Sequence, residues 1–126
     1  MPRLRDLLWV DGLAGGTVGL AMLAASPWLA PIYALPSGLF IAIAVANLGY
    51  GLFSFSIARR AERPPALIRA LVAANATWAV LCAVAVVVLW GSAGVLGLAH
   101  IAGEGLFVGG LAWLEWTRRE RLRTAA

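Results

Sequence analysis

Residues 93–116 read AGVLGLAHIAGEGLFVGGLAWLEW, and residues 117–123 follow as TRRERLR. At 1.5 Å per residue the first run extends about 36 Å, enough to cross the hydrocarbon core of a bilayer with some tilt. It stops at a cluster of arginines: Arg118, Arg119, Arg121 and Arg123. An apolar run of bilayer length closed by arginines reads as a transmembrane helix whose arginine end stays in the cytoplasm.

The same unit recurs along the chain. Apolar runs over about residues 7–30, 35–58 and 65–90 predict three further spanning helices. The other arginines sit at Arg3 and Arg5 and at Arg59, Arg60, Arg63 and Arg69. The connections near Pro31 to Pro36 and at Gly91-Ser92 carry no charge. Short connections make successive helices antiparallel neighbours. The expectation is therefore an all-α integral membrane antiparallel four-helix bundle. It is a single domain over residues 1–126, with both termini cytoplasmic. A bacterial-type inner membrane is the expected location, with anionic lipid at the arginine face. The prolines lie at or beyond the expected span ends, so the helices should run unbroken. The first run has the basic start of a signal peptide, but Asp11 and its glycines interrupt it, which favours a retained helix.

Composition removes several function classes. With 62% hydrophobic residues in 126, a soluble domain could not hide its apolar surface. The basic residues flank the spans and form no separate domain, so no nucleic acid is expected as a partner. His100 and Cys82 are single, which excludes a haem held by two histidines of one chain and a cysteine-based metal site within it. Lysine is absent, so no retinal-type Schiff base can form. No metal site is expected. A non-covalent quinone, pigment or lipid remains compatible with the composition.

The polar residues inside the runs carry the functional argument. Counted along each run, Asn47 lies about 18 Å deep, Asn75 about 15 Å and Glu104 about 16 Å. Thr17 of the first run falls at a similar depth. Such groups cost several kcal/mol each against lipid, so they should face one another in the bundle interior. The expectation is one midplane layer in which Asn47 and Asn75 shield the Glu104 carboxyl. His100 is one turn away from Glu104 on the same helix face, so the pair can share a proton. Asp11, nearer the inner edge, shares a face with Gly15 and Gly19 and should also point inward. Tyr50, one turn from Asn47, is placed to bridge the gap from Glu104 to Asp11. Glu115 lies beside the arginines and is expected to be a solvated partner of Arg118 or Arg119.

Asn75, Trp78 and Cys82 share one face of the third helix. Trp78 is then either a large core side chain or an aromatic wall for a flat apolar ligand. Trp9, Trp28, Trp90, Trp113 and Trp116 mark the two interfaces. Gly12, Gly15, Gly16 and Gly19, with Gly105 and Gly109, make thin helix faces for close packing, within the chain or between protomers.

Three function classes follow. The first is a small binding or transport protein whose polar layer (His100, Glu104, Asn47, Asn75, Asp11, Trp78 and Tyr50) holds a proton or a small amphipathic ligand. The second is an accessory or scaffold subunit, a homo-oligomer or a partner in a larger membrane complex. The third, and least supported, is an enzyme using His100 and Glu104 as acid and base, since no nucleophile or phosphate-cradling loop accompanies the pair.

Overall fold

The computed structural model describes residues 6–124. Arg3 and Arg5 lie outside the described residues. The chain forms α1 (Asp6–Ala24), α2 (Ser26–Tyr33), α3 (Ser37–Ala58), α4 (Pro65–Val88), α5 (Val95–Thr117) and α6 (Arg119–Leu122). The one β-type contact among the described residues is an isolated bridge between Glu62 and Thr124. Helices α1, α3, α4 and α5 are each long and apolar enough to cross a membrane. Their outward faces carry Leu13, Leu20, Leu52, Val80, Val84, Val88 and Leu106, all exposed on the chain itself. Such a surface suits hydrocarbon and not water, the arrangement of an integral membrane protein.

The first apolar run differs from the expected single helix. It breaks at Ala25 into α1 and the short α2. Pro27 accounts for the break, because it lacks an N–H and its ring crowds the carbonyl four residues back. Helix α2 ends at Ala34, which takes a left-handed conformation (φ 50°) and donates its N–H to the Ala30 carbonyl at 3.1 Å.

Two helix pairs make up the molecule. Helix α1 packs closely along α3, and α4 packs closely along α5, while the two pairs meet more sparingly. Glycines bring α1 and α3 together. A Cβ at Gly15 would sit 2.7 Å from the Asn47 carbonyl oxygen, and one at Gly19 would sit 2.7 Å from that of Ala44. From the other side, a Cβ at Gly51 would sit 2.5 Å from the Gly16 nitrogen. These are backbone-to-backbone contacts that a methyl group would prevent. The first helix therefore spends its glycine face inside the chain. Gly105 does the same for the second pair, facing Cys82 of α4.

The core is split between the two ends. Met22, Leu35, Phe40, Ile43, Ala44, Cys82 and Ile101 fill one end. Leu8, Ile57, Ala58, Ile68, Leu71 and Leu122 fill the other. At this second end the buried Arg63 ties the α3–α4 connection to the C-terminal segment. Its Nε donates to the Ile57 carbonyl at 3.2 Å, Nη1 to Leu122 at 3.1 Å and Nη2 to Ala58 at 3.0 Å. Its backbone N–H donates to Arg123 at 2.7 Å. Burial lowers the pKa of this guanidinium, but an arginine keeps its proton and here satisfies helix-end carbonyls with it. The arginines of residues 59–69 and 118–123 thus gather at one end. At the opposite end the Gly94 N–H donates to the Tyr33 carbonyl at 2.8 Å, joining the two uncharged connections.

Candidate functional site

A cavity of about 380 Å³ lies between the two helix pairs. Each long helix contributes to its wall: Asp11 from α1, Asn47 and Tyr50 from α3, Asn75 and Trp78 from α4, and His100 and Glu104 from α5. The seven polar and aromatic residues singled out in the sequence all line this one space. The midplane layer expected of Asn47, Asn75, Glu104 and Thr17 does not form. The ionisable residues instead fall in two clusters, one on Asp11 and Asn75 and the other on His100 and Glu104.

The cluster nearer the arginines is built on Asp11. Its Oδ2 accepts from the Ser54 hydroxyl at 2.9 Å and from Asn75 Nδ2 at 3.0 Å. The same Asn75 nitrogen also donates to Glu115 Oε2 at 3.2 Å. Asp11, Ser54, Asn75 and Glu115 are all buried, Glu115 completely. One side chain from each long helix therefore meets here, and two carboxyls converge on a single amide. Like-charged carboxylates this close oppose each other, and a proton shared between them removes the conflict.

Glu115 corrects an expectation. It is not a solvated partner of Arg118 or Arg119 but is fully buried, hydrogen-bonded to Asn75. Its depth was misjudged because the helix ends are not flush. Asn75 lies ten residues past the start of α4 at Pro65, yet it meets Glu115, two residues before the end of α5 at Thr117. The offset corresponds to an axial stagger of roughly 10 Å. The sequence did hold a usable signal: Glu104 and Glu115 are eleven residues apart, three helical turns, and so share a face. Ser54 is likewise two turns beyond Asn47 on one face of α3.

The second cluster lies towards the uncharged end. The close approach of α2 to α5 builds it. Gly94 and Gly97 leave room for the Tyr33 carbonyl, which would lie 2.5 Å from a Cβ at Gly97. This seats the Tyr33 ring over His100, with centroids 5.4 Å apart, and places its hydroxyl 2.9 Å from His100 Nδ1. The sequence gives Tyr33 no evident role in the site, because it falls in the uncharged connection between two apolar runs and not inside one. On its other side, His100 Nε2 stands 3.7 Å from Glu104 Oε2. That exceeds hydrogen-bond length but keeps the pair within charge contact. The Glu104 side chain is only 8% exposed, and neither of its oxygens has a hydrogen-bond partner. His100 Nε2 and Trp78 Nε1 are buried without partners as well.

Shielding of Glu104 by the two asparagines does not occur. Asn75 is turned to Asp11 and Glu115, and Asn47 donates to the Ile43 carbonyl of its own helix at 3.0 Å. Thr17 is exposed on the outer side of α1. The glycine face of α1 decides this: with Gly15 and Gly19 pressed on α3, a residue two places from Gly15 points away. Tyr50 spends its hydroxyl on the Ala74 carbonyl at 3.3 Å, and its ring stands 5.9 Å from that of Trp78. These two rings form the wall where α3 meets α4.

Chemically, residues that line the cavity hold buried, unpaired acceptors on Glu104 and buried, unpaired nitrogens on His100 and Trp78. Buried polar groups are ordinarily satisfied, so unpaired ones on the residues of a cavity wall mark where a small side-chain shift would offer partners to a ligand, water or a proton. Among the described residues, no three His, Cys, Asp or Glu side chains are grouped to hold a metal ion. No protein-family model matches the chain, and no curated protein or solved structure shows significant similarity to it.

Proposed function

We propose that this chain is an antiparallel four-helix bundle of a bacterial-type inner membrane, with both termini in the cytoplasm, whose central cavity binds or transports a proton or a small amphipathic ligand. One observation carries the reading. The Glu104 side chain lies beside His100 with both carboxyl oxygens buried and unpartnered, and the residue lines a cavity of about 380 Å³. Structural polar residues in membrane helices find partners on their neighbours, as Asp11, Ser54, Asn75 and Glu115 each do here through at least one atom, although Asn75 Oδ1 and Glu115 Oε1 stay unpaired. An unpaired ionisable group facing a cavity is the pattern of a functional site in a membrane.

The asymmetry of charge supports the orientation. The described arginine patches meet at one end, joined through Arg63 and Arg123. Positive residues favour the cytoplasmic side.

The test is reconstitution of the whole chain in liposomes carrying an internal pH dye, with an imposed membrane potential. The wild type should pass protons, and Glu104→Gln should reduce the flux by about tenfold or more, the usual scale for loss of a proton-transferring group. If Glu104→Gln lowers only thermal stability and leaves flux and ligand retention intact, the carboxyl is structural and the proposal fails. A scaffold subunit would instead bring a partner with it in mild detergent, which native mass spectrometry reads directly.

A further inference from the structure

The cavity is acidic, aromatic and open to one side, and together these features specify a ligand. Its lining includes the carboxyls of Asp11 and Glu104 and no arginine. Asp11 is engaged by Ser54 and Asn75, so Glu104, with His100 Nε2 at 3.7 Å and no hydrogen-bond partner, is the cavity carboxyl left to meet a ligand. The Tyr50 and Trp78 rings line the same cavity. A carboxyl without donors in a cavity walled partly by aromatic rings, in a medium of low dielectric, favours a cation with an apolar body.

The opening lies between α1 and α5. On that side the wall is made by Ala14 and Val18 of α1 and by Ala99, Gly103 and Phe107 of α5. Ala99 and Gly103 are exposed, Phe107 is 45% exposed, and a Cβ at Gly103 would meet nothing within 4 Å. The opposite seam, between α3 and α4, is closed by Tyr50 and its bond to Ala74. Beside the gap, Leu106 and Phe107 of α5 are exposed on the apolar outer surface.

We infer that the cavity takes a lipophilic cation, which passes sideways from the bilayer between α1 and α5 and places its charge against Glu104. This rests on the ligand-binding reading given above and names the class of ligand.

The experiment uses ethidium, a flat aromatic cation, and dihydroethidium, its uncharged reduced form, the latter kept under argon. Equilibrium dialysis against the full chain in mild detergent measures binding, and stopped-flow fluorescence measures ethidium association. Ethidium should bind about tenfold or more tightly than dihydroethidium, and Glu104→Gln should erase that preference. Gly103→Leu should slow association by about tenfold with the thermal midpoint unchanged. Gly110→Leu is the control. It adds the same bulk to α5 at an exposed glycine that is also open at Cβ but lies off the cavity, and should leave the rate alone.

Equal binding of the two compounds would overturn the cationic class and leave a ligand site standing. Absence of binding with proton flux intact would overturn the inference and keep the proton reading. Absence of both would remove the two together. Equal association rates in the Gly103 and Gly110 variants would overturn the lateral route.

Discussion

Asn75 links the two acids of the polar core, since one amide nitrogen serves both Asp11 and Glu115. Its removal leaves Glu115 without a donor and Asp11 with Ser54 alone. Asn75→Ala should therefore destabilise the protein by about 1–3 kcal/mol, from two interhelical bonds plus the unsatisfied acceptors. Reversible unfolding in mixed detergent micelles checks this. Adding Glu115→Gln to Asn75→Ala should recover part of the loss, because it supplies a new amide and removes one acid. The two changes should thus be clearly non-additive, as expected for groups in one network. Strict additivity would mean that the two carboxyls do not interact through Asn75. Seven residues of the cavity wall were legible in the sequence because ionisable and amide groups are rare inside apolar runs and their inward faces follow from helical spacing, whereas Tyr33, Ser54 and Glu115 were not. Their partners were not legible. Partnering depends on the axial offset between helices, and a stagger of two turns between α4 and α5 moved Asn75 from Glu104 to Glu115.

At the scale of elements, the closeness of α1 to α3 depends on Gly51, whose added Cβ would press into the Gly16 nitrogen and the Gly12 carbonyl oxygen. Those atoms belong to a helix backbone and cannot move alone. Gly51→Ala should cost about 1–3 kcal/mol by forcing the helices apart. Gly49→Ala, on the same helix with nothing within 4 Å, should be neutral or should stabilise by up to about 1 kcal/mol through helix propensity. The pair of variants, compared by thermal unfolding, separates packing from propensity. The arginine end makes a second test. Arg63 is buried and binds three carbonyls, whereas Arg123 and Glu120 form an exposed pair at 3.2 Å. Arg63→Met should cost about 2–4 kcal/mol and raise hydrogen exchange in residues 59–64 and 119–123, because it leaves helix-end carbonyls without donors. Glu120→Gln should change stability by less than about 0.5 kcal/mol, since exposed ion pairs contribute little. The four long helices could be read from hydropathy alone. The break at Ala25 could not be placed, although Pro27 announced it, because a proline at the first turn of a new helix and a proline beyond the end of an old one look alike in sequence. The glycine faces were visible too, but only the packed helices assign the face of α1 to α3.

For the whole molecule, the two described arginine patches share one end and the uncharged connections share the other, so the chain has a built-in polarity across a bilayer. Moving arginines through hydrocarbon is costly, and cytoplasmic retention of positive charge normally fixes orientation. In the proposed orientation, the same polarity sets which cluster of the site faces which compartment. Asp11, Asn75 and Glu115 lie towards the arginine end, and Tyr33, His100 and Glu104 lie towards the other. Cys82 is buried and can be replaced by alanine, which leaves a background without thiols. In that background Ala61→Cys and Ser92→Cys each place one exposed thiol at opposite ends of the molecule. Intact cells treated with a membrane-impermeant maleimide should label the Ser92 variant, and the Ala61 variant should react only after permeabilisation. The reverse pattern would put His100 and Glu104 towards the cytoplasm and invert the direction in which a proton reaches them. Labelling of both variants in intact cells would mean insertion in two orientations, and the arginines would then be insufficient to set the topology on which the placement of the site depends.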